Sequence, residues 1–195
     1  RRKFIRNLGG TAVLLSAGPL SGFGSDRKTE QRVSSYYQKV TSSDKIRIAG
    51  IGMGIMGNQD VDTALKVPGT ELVAACDLYT GRLERVKEKY GKDIYTTKDY
   101  RELLNRKDID VVIISTSDNW HARIAIDAMN AGKSVYCEKP MVHRLNEGLE
   151  VIATRDKTKK IMQVGSQRVS GIIYQKAKEL YKLGIIGQLN CIEAS

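Results

Sequence analysis

Ile46-Arg47-Ile48-Ala49-Gly50-Ile51-Gly52-Met53-Gly54-Ile55-Met56-Gly57 decides the fold of this chain. Its first six residues form an apolar run rich in β-branched side chains and bounded by glycine, the pattern of a buried strand. The run leads directly into a G-x-G-x-x-G string, which opens a helix expected to continue to about Lys66. Gly52 permits a tight turn, Gly54 lets the backbone come close to a pyrophosphate, and Gly57 lets the helix pack on the strand. The free N–H groups and the positive end of that helix attract phosphate oxygens.

Glycine-rich turns are common, and this one gains its weight from the neighbouring strand. A second strand, expected over 71–76, ends at Asp77, and an acidic side chain at that distance from the turn accepts hydrogen bonds from the adenosine ribose hydroxyls. A carboxylate there repels a 2′-phosphate, which favours NAD over NADP, although Arg82 and Arg85 stand near enough in sequence to keep NADP open. Asp77 also fits a solvated turn acid or the N-cap of a helix over 80–90.

Outward from this pair the alternation continues. Strands are expected around Ile94-Tyr95 and over 110–114, 134–137 and 161–164, with helices over 99–105, 119–130 and 146–156. Six strands separated by helices indicate an α/β fold, a doubly wound and mainly parallel Rossmann sheet with helices on both faces. Ligands of such sheets sit beyond the carboxyl ends of the strands. That rule gathers Gly52–Gly57, Asp77, the loop from Thr116 to His121 and Glu138-Lys139-Pro140 on one edge. Beyond Gly165 a helix is expected over 172–183 and a strand is just starting over 189–194, read as the opening of a second α/β domain in a chain that is a piece of a longer one.

Residues 45–168 are thus assigned to the dinucleotide domain and 169–195 to the start of a substrate and oligomerisation domain. Ahead of them, Arg1-Arg2-Lys3-Phe4-Ile5 and a modestly apolar stretch to Leu20 have the parts of an export signal over 1–25, and the paired arginines resemble a twin-arginine (Tat) signal. A periplasmic or otherwise exported location follows, with a polar linker over 26–44. The other reading of this segment is an ordinary basic tail.

The 195 residues, with 41% hydrophobic and 28% charged side chains, exclude collagen-like, disordered and integral-membrane classes. No apolar run approaches the roughly 20 residues of a membrane-spanning helix. The net charge of +10 invites a nucleic-acid reading, but residues 1–40 hold eight Lys/Arg against two Asp/Glu, leaving little excess over the rest. That remainder is spread over solvated helix faces, so no nucleic-acid partner is expected. Cys76, Cys137 and Cys191 lie too far apart for a disulfide framework or a metal cluster, and are read as reduced, buried, strand-end thiols; no metal is expected.

The glycine turn, Thr116-Ser117-Asp118-Asn119-Trp120-His121-Ala122, Ala131-Gly132-Lys133-Ser134-Val135-Tyr136-Cys137-Glu138-Lys139-Pro140 and Val164-Gly165-Ser166-Gln167-Arg168 together resemble the Gfo/Idh/MocA oxidoreductases over residues 45–195. The resemblance implies a Rossmann domain followed by a domain built on a large antiparallel sheet, through which members form dimers or tetramers. It also implies oxidation or reduction of sugars and cyclitols with NAD or NADP. On that resemblance the backbone at Ile55 and Met56 meets the pyrophosphate and Asp77 the ribose. Thr116, Asn119, Trp120 and His121 lie along the nicotinamide half. Glu138 binds the nicotinamide ribose, Lys139 touches both cofactor and substrate hydroxyl, and Gln167 with Arg168 closes over the nicotinamide. Ser117 and Asp118 depart from the Pro and Asn common in the family, and the Asp and His that complete its active site lie beyond Ser195.

Oxidising a secondary alcohol requires removal of the hydroxyl proton while C–H faces the nicotinamide. Lys139, expected close to the nicotinamide ring and partly desolvated, fits the group that hydrogen-bonds the substrate oxygen as charge develops there, and Pro140 restricts its backbone; the other reading is a surface lysine in an ordinary turn. His121 is the second catalytic candidate, as donor or proton shuttle, or else it only caps and packs. Trp120 is a sugar-stacking platform or core. Three functions remain: an exported NAD-dependent oxidoreductase acting on a sugar derivative; a glycosidase that uses bound NAD transiently, as the NAD-dependent N-acetylgalactosaminidases do; and a non-catalytic NAD-binding protein.

Overall fold

The computed structural model describes residues 45–167 and 171–193. The leader expected at 1–25, the linker expected at 26–44 and Arg168 therefore lie outside the described residues. The elements follow the expected alternation: β1 (Ile46–Ile51), α1 (Ile55–Ala64), β2 (Thr70–Cys76), α2 (Thr80–Tyr90), β3 (Tyr95–Thr97), α3 (Tyr100–Asn105), β4 (Val111–Ile114), α4 (His121–Asn130), β5 (Ser134–Glu138), α5 (Glu147–Thr158), β6 (Met162–Gly165) and α6 (Ile172–Lys182). All six strands are parallel neighbours in one sheet of order β3-β2-β1-β4-β5-β6. The order reverses between β1 and β4, and loops leaving those strands diverge there to open a crevice.

The strands read as continuous apolar runs because both faces are covered. Ile48, Ala75 and Ile113 pack with Val61 of α1 and Val86 of α2 on one face. Ala49, Ile51, Ala74, Cys76, Val112 and Ile114 point the other way, onto α3, α4 and α5 through Leu103, Ala125, Met129 and Val151. The period of two along each strand sorts these side chains between the two layers. Asp110 ties the entry of β4 to β1: its carboxylate accepts from the Arg47 backbone N–H at 2.9 Å and from the guanidinium at 3.1 Å.

Most boundaries differ from expectation by one or two residues, where helix ends fray and caps intervene. Asp99 caps α3 through Arg101 N at 3.0 Å rather than belonging to it, and the expected start of α4 is a separate 3₁₀ turn, Asp118–Trp120. β3 begins at Tyr95 because Ile94 turns into the core, 8% exposed.

Two expectations fail. Residues 189–193 form no strand, since a strand needs a neighbour for its N–H and C=O groups and the described residues give it none. Cys191 is consequently exposed, while Cys76 and Cys137 are buried at strand ends as expected. The apolar side chains of α6 are likewise exposed, Ile172 and Ile173 most of all.

Burial pushes the Cys76 and Cys137 thiols up to about 12, with the charges of Asp77 and Glu138 adding to it. Neither forms thiolate near neutrality, and Cys191 stands in solvent. A disulfide-exchange reagent at pH 8 is therefore expected to titrate Cys191 alone in the native chain and all three cysteines after denaturation. Rapid reaction of a second thiol under native conditions would contradict the burial.

Candidate cofactor site

The carboxyl edge of the sheet is built around the glycine turn. Gly52 adopts φ +87°, in the left-handed region, and a Cβ there would lie 2.7 Å from Ser115 O and 2.8 Å from Thr116 N. Its N–H donates to Cys76 O at 2.8 Å. The turn thus rests on the ends of both β2 and β4. A Cβ on Gly57 would stand 1.9 Å from Gly52 O, so the first turn of α1 lies directly on the turn that precedes it. Gly54 is the N-cap of α1 and borders open space, the nearest atoms to a Cβ there being the Arg82 guanidinium at 3.8 Å. Ile55 and Met56 turn their side chains outward and leave their backbone at the helix entrance. Asn58, which nothing in the local sequence pattern singles out, locks the turn by donating from Nδ2 to Met53 O and Gly54 O, both at 2.9 Å.

Asp77 lies at the end of β2 with its side chain 5% exposed. Oδ2 accepts from Met53 N at 2.8 Å, within the glycine turn, and Oδ1 accepts from Tyr79 N at 2.9 Å. Arg82 Nη1 reaches Oδ2 at 3.3 Å. Asp77 is thus neither a solvated turn acid nor the N-cap of α2, which is Tyr79: its buried carboxylate shapes its own loop, fixes the glycine turn and keeps acceptor capacity on Oδ1. Exposed Leu78 and Tyr79 flank it.

On the other side of the crevice, Glu138 ends β5 at 5% exposure. Its Oε1 accepts from Gln167 Nε2 and, at 3.3 Å, from Tyr136 OH; its Oε2 accepts from Lys139 N at 3.3 Å. Lys139 is exposed and has no ion pair among the described residues. Thr116 Oγ1 donates to Ser117 O at 3.2 Å, and Asn119 N is held by Asp118 Oδ1 at 3.0 Å. Trp120 is 46% exposed, so it is not core. His121 is 2% exposed, with Nδ1 2.7 Å from Pro140 O and Nε2 3.1 Å from Thr116 O.

A further pair carries no mark of its own in the sequence. Ser115, the residue after β4, donates its hydroxyl to Asp60 Oδ2 of α1 at 2.7 Å. Burial raises the Asp60 carboxyl above its ordinary value, Ser115 opposes this, and the Glu138 charge adds to it. The Tyr136 hydroxyl is pushed up to about 12, first by burial and then by the charges of Asp60 and Glu138. Asp60 stands three residues past Gly57 on the face that meets β4, and that position is the one signal by which it could have been found.

A parallel sheet that reverses at β1/β4, a glycine turn opening α1 at that point and a buried carboxylate at the end of β2 define a dinucleotide-binding protein. The family model for oxidoreductases with an NAD-binding Rossmann fold, GFO_IDH_MocA, matches residues 46–166, and the chain belongs to that family. It is 36% identical over 140 residues to an inositol 2-dehydrogenase of Salmonella typhimurium, covering 71% of this chain and 42% of that one. It is 42% identical over 123 residues to an α-N-acetylgalactosaminidase of Shewanella oneidensis, covering 59% and 27%. The WlbA dehydrogenase of Chromobacterium violaceum, solved in complex with NADH and UDP-GlcNAcA, superposes with a TM-score of 0.68 at 30% identity, covering 74% of this chain and 41% of that one. The chain spans less than half the length of each.

The fit of a dinucleotide rests on Gly57. Gly57→Ala forces α1 off the turn and is expected to lower stability by about 1–3 kcal/mol and to abolish NAD binding. Calorimetric titration of NAD into this variant checks it, with a chemical-denaturation curve alongside; an undiminished NAD affinity would show that the turn does not hold the phosphates.

Proposed function

We propose that the protein transfers a hydride between NAD and a carbon bearing a secondary hydroxyl on a sugar or cyclitol. The observation that carries this reading is the meeting, on one sheet edge, of the glycine turn, Asp77 and the exposed Lys139. Bound NAD supplies the hydride acceptor and, in the reverse direction, the donor.

The chain's own residues divide the remaining work. Backbone N–H groups from Gly52 to Gly57, including Ile55 and Met56 at the entrance of α1, receive the phosphates. Asp77 accepts from the adenosine ribose, and its charge disfavours a 2′-phosphate, which supports NAD over NADP. Thr116, Asn119 and Trp120 border the nicotinamide half, with Trp120 exposed enough to offer a ring face to a sugar. Glu138, held by Tyr136 and Gln167, lies under the same end. Lys139 hydrogen-bonds the reacting oxygen and stabilises the charge that develops on it. The inositol 2-dehydrogenase relative and the dehydrogenase solved in complex with NADH and UDP-GlcNAcA support a polyol or sugar as the substrate class. Family members that pair through a second domain support a homo-oligomeric whole protein, and the paired arginines at the chain start support export of the folded protein by a twin-arginine route.

Lys139→Ala in the whole protein is expected to keep NAD affinity within about threefold while turnover falls by about 10²-fold or more. Retained turnover would remove Lys139 from the chemistry, and absence of turnover in the unaltered protein would favour a binding role alone. The 42% identity to an α-N-acetylgalactosaminidase favours a second reading, in which the sugar is oxidised, eliminates its aglycone, adds water at the carbon the aglycone left and is reduced again by the hydride held on the same bound NAD. Release of sugar from a glycoside with no net NADH, followed by the absorbance of the reduced nicotinamide, selects this reading; stoichiometric NADH selects simple dehydrogenation.

A further inference from the structure

We propose that the two histidines of this chain are positioning residues, a clasp that joins the loop leaving β4 to the loop leaving β5 and thereby sets where Lys139 stands. The inference rests on the NAD reading for its purpose, though not for its geometry.

His121 and His143 are the only histidines in the sequence. His121 begins α4 with its ring buried between two main-chain carbonyls, one from each loop: Pro140 O at 2.7 Å from Nδ1 and Thr116 O at 3.1 Å from Nε2. Imidazole suits this place because it is a rigid ring with one nitrogen against each loop; the neutral ring donates from one of them, to Pro140 O or to Thr116 O according to its tautomer, and packs the other against the remaining loop. Pro140 is the next residue after Lys139, so the carbonyl that His121 holds fixes the backbone from which the lysine projects. His143 crosses the same gap from the other side: its Nδ1 lies 2.9 Å from Asp118 Oδ2, joining a β5-loop side chain to a β4-loop side chain. The hydrogen bond from His143 holds the Asp118 carboxyl below its ordinary value. Glu147 anchors this end in turn, with Oε2 accepting from His143 N and Arg144 N, both at 3.0 Å.

This arrangement also takes His121 out of the proton-shuttle role expected from sequence. A shuttle must present one ring nitrogen to the substrate, and here both face protein carbonyls on a ring 2% exposed.

Because the clasp acts only at the nicotinamide end, its loss must separate two ligands. Calorimetric titrations of NAD and of ADP-ribose into the native chain, His121→Phe, His121→Gln and His143→Ala make the test. His121→Phe fills the space without donors and is expected to weaken NAD about tenfold while ADP-ribose stays within about twofold. His121→Gln, able to reach one carbonyl, falls between, and the exposed His143→Ala costs NAD about threefold with little risk to folding. Equal losses of NAD and ADP-ribose, or unchanged NAD affinity in both His121→Phe and His143→Ala, would overturn the proposal. If the native chain binds neither ligand, the NAD reading fails instead. The clasp is then judged by hydrogen exchange in the cofactor-free chain: His121→Phe must raise exchange in residues 116–121 and 139–144 together while β2 and α2 are unaffected, and a change confined to one loop would refute it.

Discussion

A Cβ on residue 57 would lie 1.9 Å from the carbonyl oxygen of Gly52, and that close approach governs the carboxyl edge of the sheet. Only glycine lets α1 begin directly on top of the turn that leads into it, so the helix entrance is aimed along the crevice at the β1/β4 reversal. The turn is then fixed from three sides. Cys76 O receives the Gly52 N–H, Asp77 Oδ2 receives the Met53 N–H, and the Asn58 amide holds Met53 O and Gly54 O. With those partners in place the turn contributes an ordered set of amides rather than a mobile loop, and little of the binding free energy goes into ordering it.

The parallel sheet brings the remaining groups together by exit direction alone. Each strand leaves the core at the same edge, so residues far apart in sequence become neighbours: Asp60 with Ser115, Glu138 with Gln167, His121 with Pro140. Nothing in the backbone ladder, however, holds the tips of neighbouring loops in register, even where, as after β4 and β5, both lead to helices on the same face. Side chains that cross between them supply that register, which is why the buried ring of His121 belongs with the scaffold even though it borders the chemistry.

The strands were legible in the sequence because burial on both faces leaves only apolar, β-branched residues at positions such as Val111–Ile114, and the entrance of α1 because its glycines stand between one such strand and a second that ends at Asp77. The local caps were half legible: Asp99 was placed inside α3 although its side chain closes the helix from outside. What sequence could not show are pairings whose spacing is set by the fold. The separation of 55 residues between Asp60 and Ser115, or 25 between Asp118 and His143, follows no local period. The strand expected over 189–194 failed for a related reason. An apolar alternation marks a segment able to pair, whereas pairing needs an edge that no local pattern supplies.

The inward turn of Glu138 has a traceable origin in Gly165. A Cβ on Gly165 would lie 2.4 Å from Glu138 Oε1 and 2.7 Å from the Tyr136 hydroxyl, so glycine makes the room into which the Glu138 carboxylate turns. Once inside, that carboxylate is satisfied by Tyr136, Gln167 and the Lys139 backbone N–H rather than by an ammonium. A glutamate pointing outward beside Lys139 would pair with it, and the pair would be screened and held at the surface. Turned inward, Glu138 directs its acceptors to neutral donors, and the exposed Lys139 beside it has no ion pair among the described residues. The inward turn of Glu138 therefore depends on a glycine 27 residues further along the chain, at the end of β6, which pairs with the end of β5.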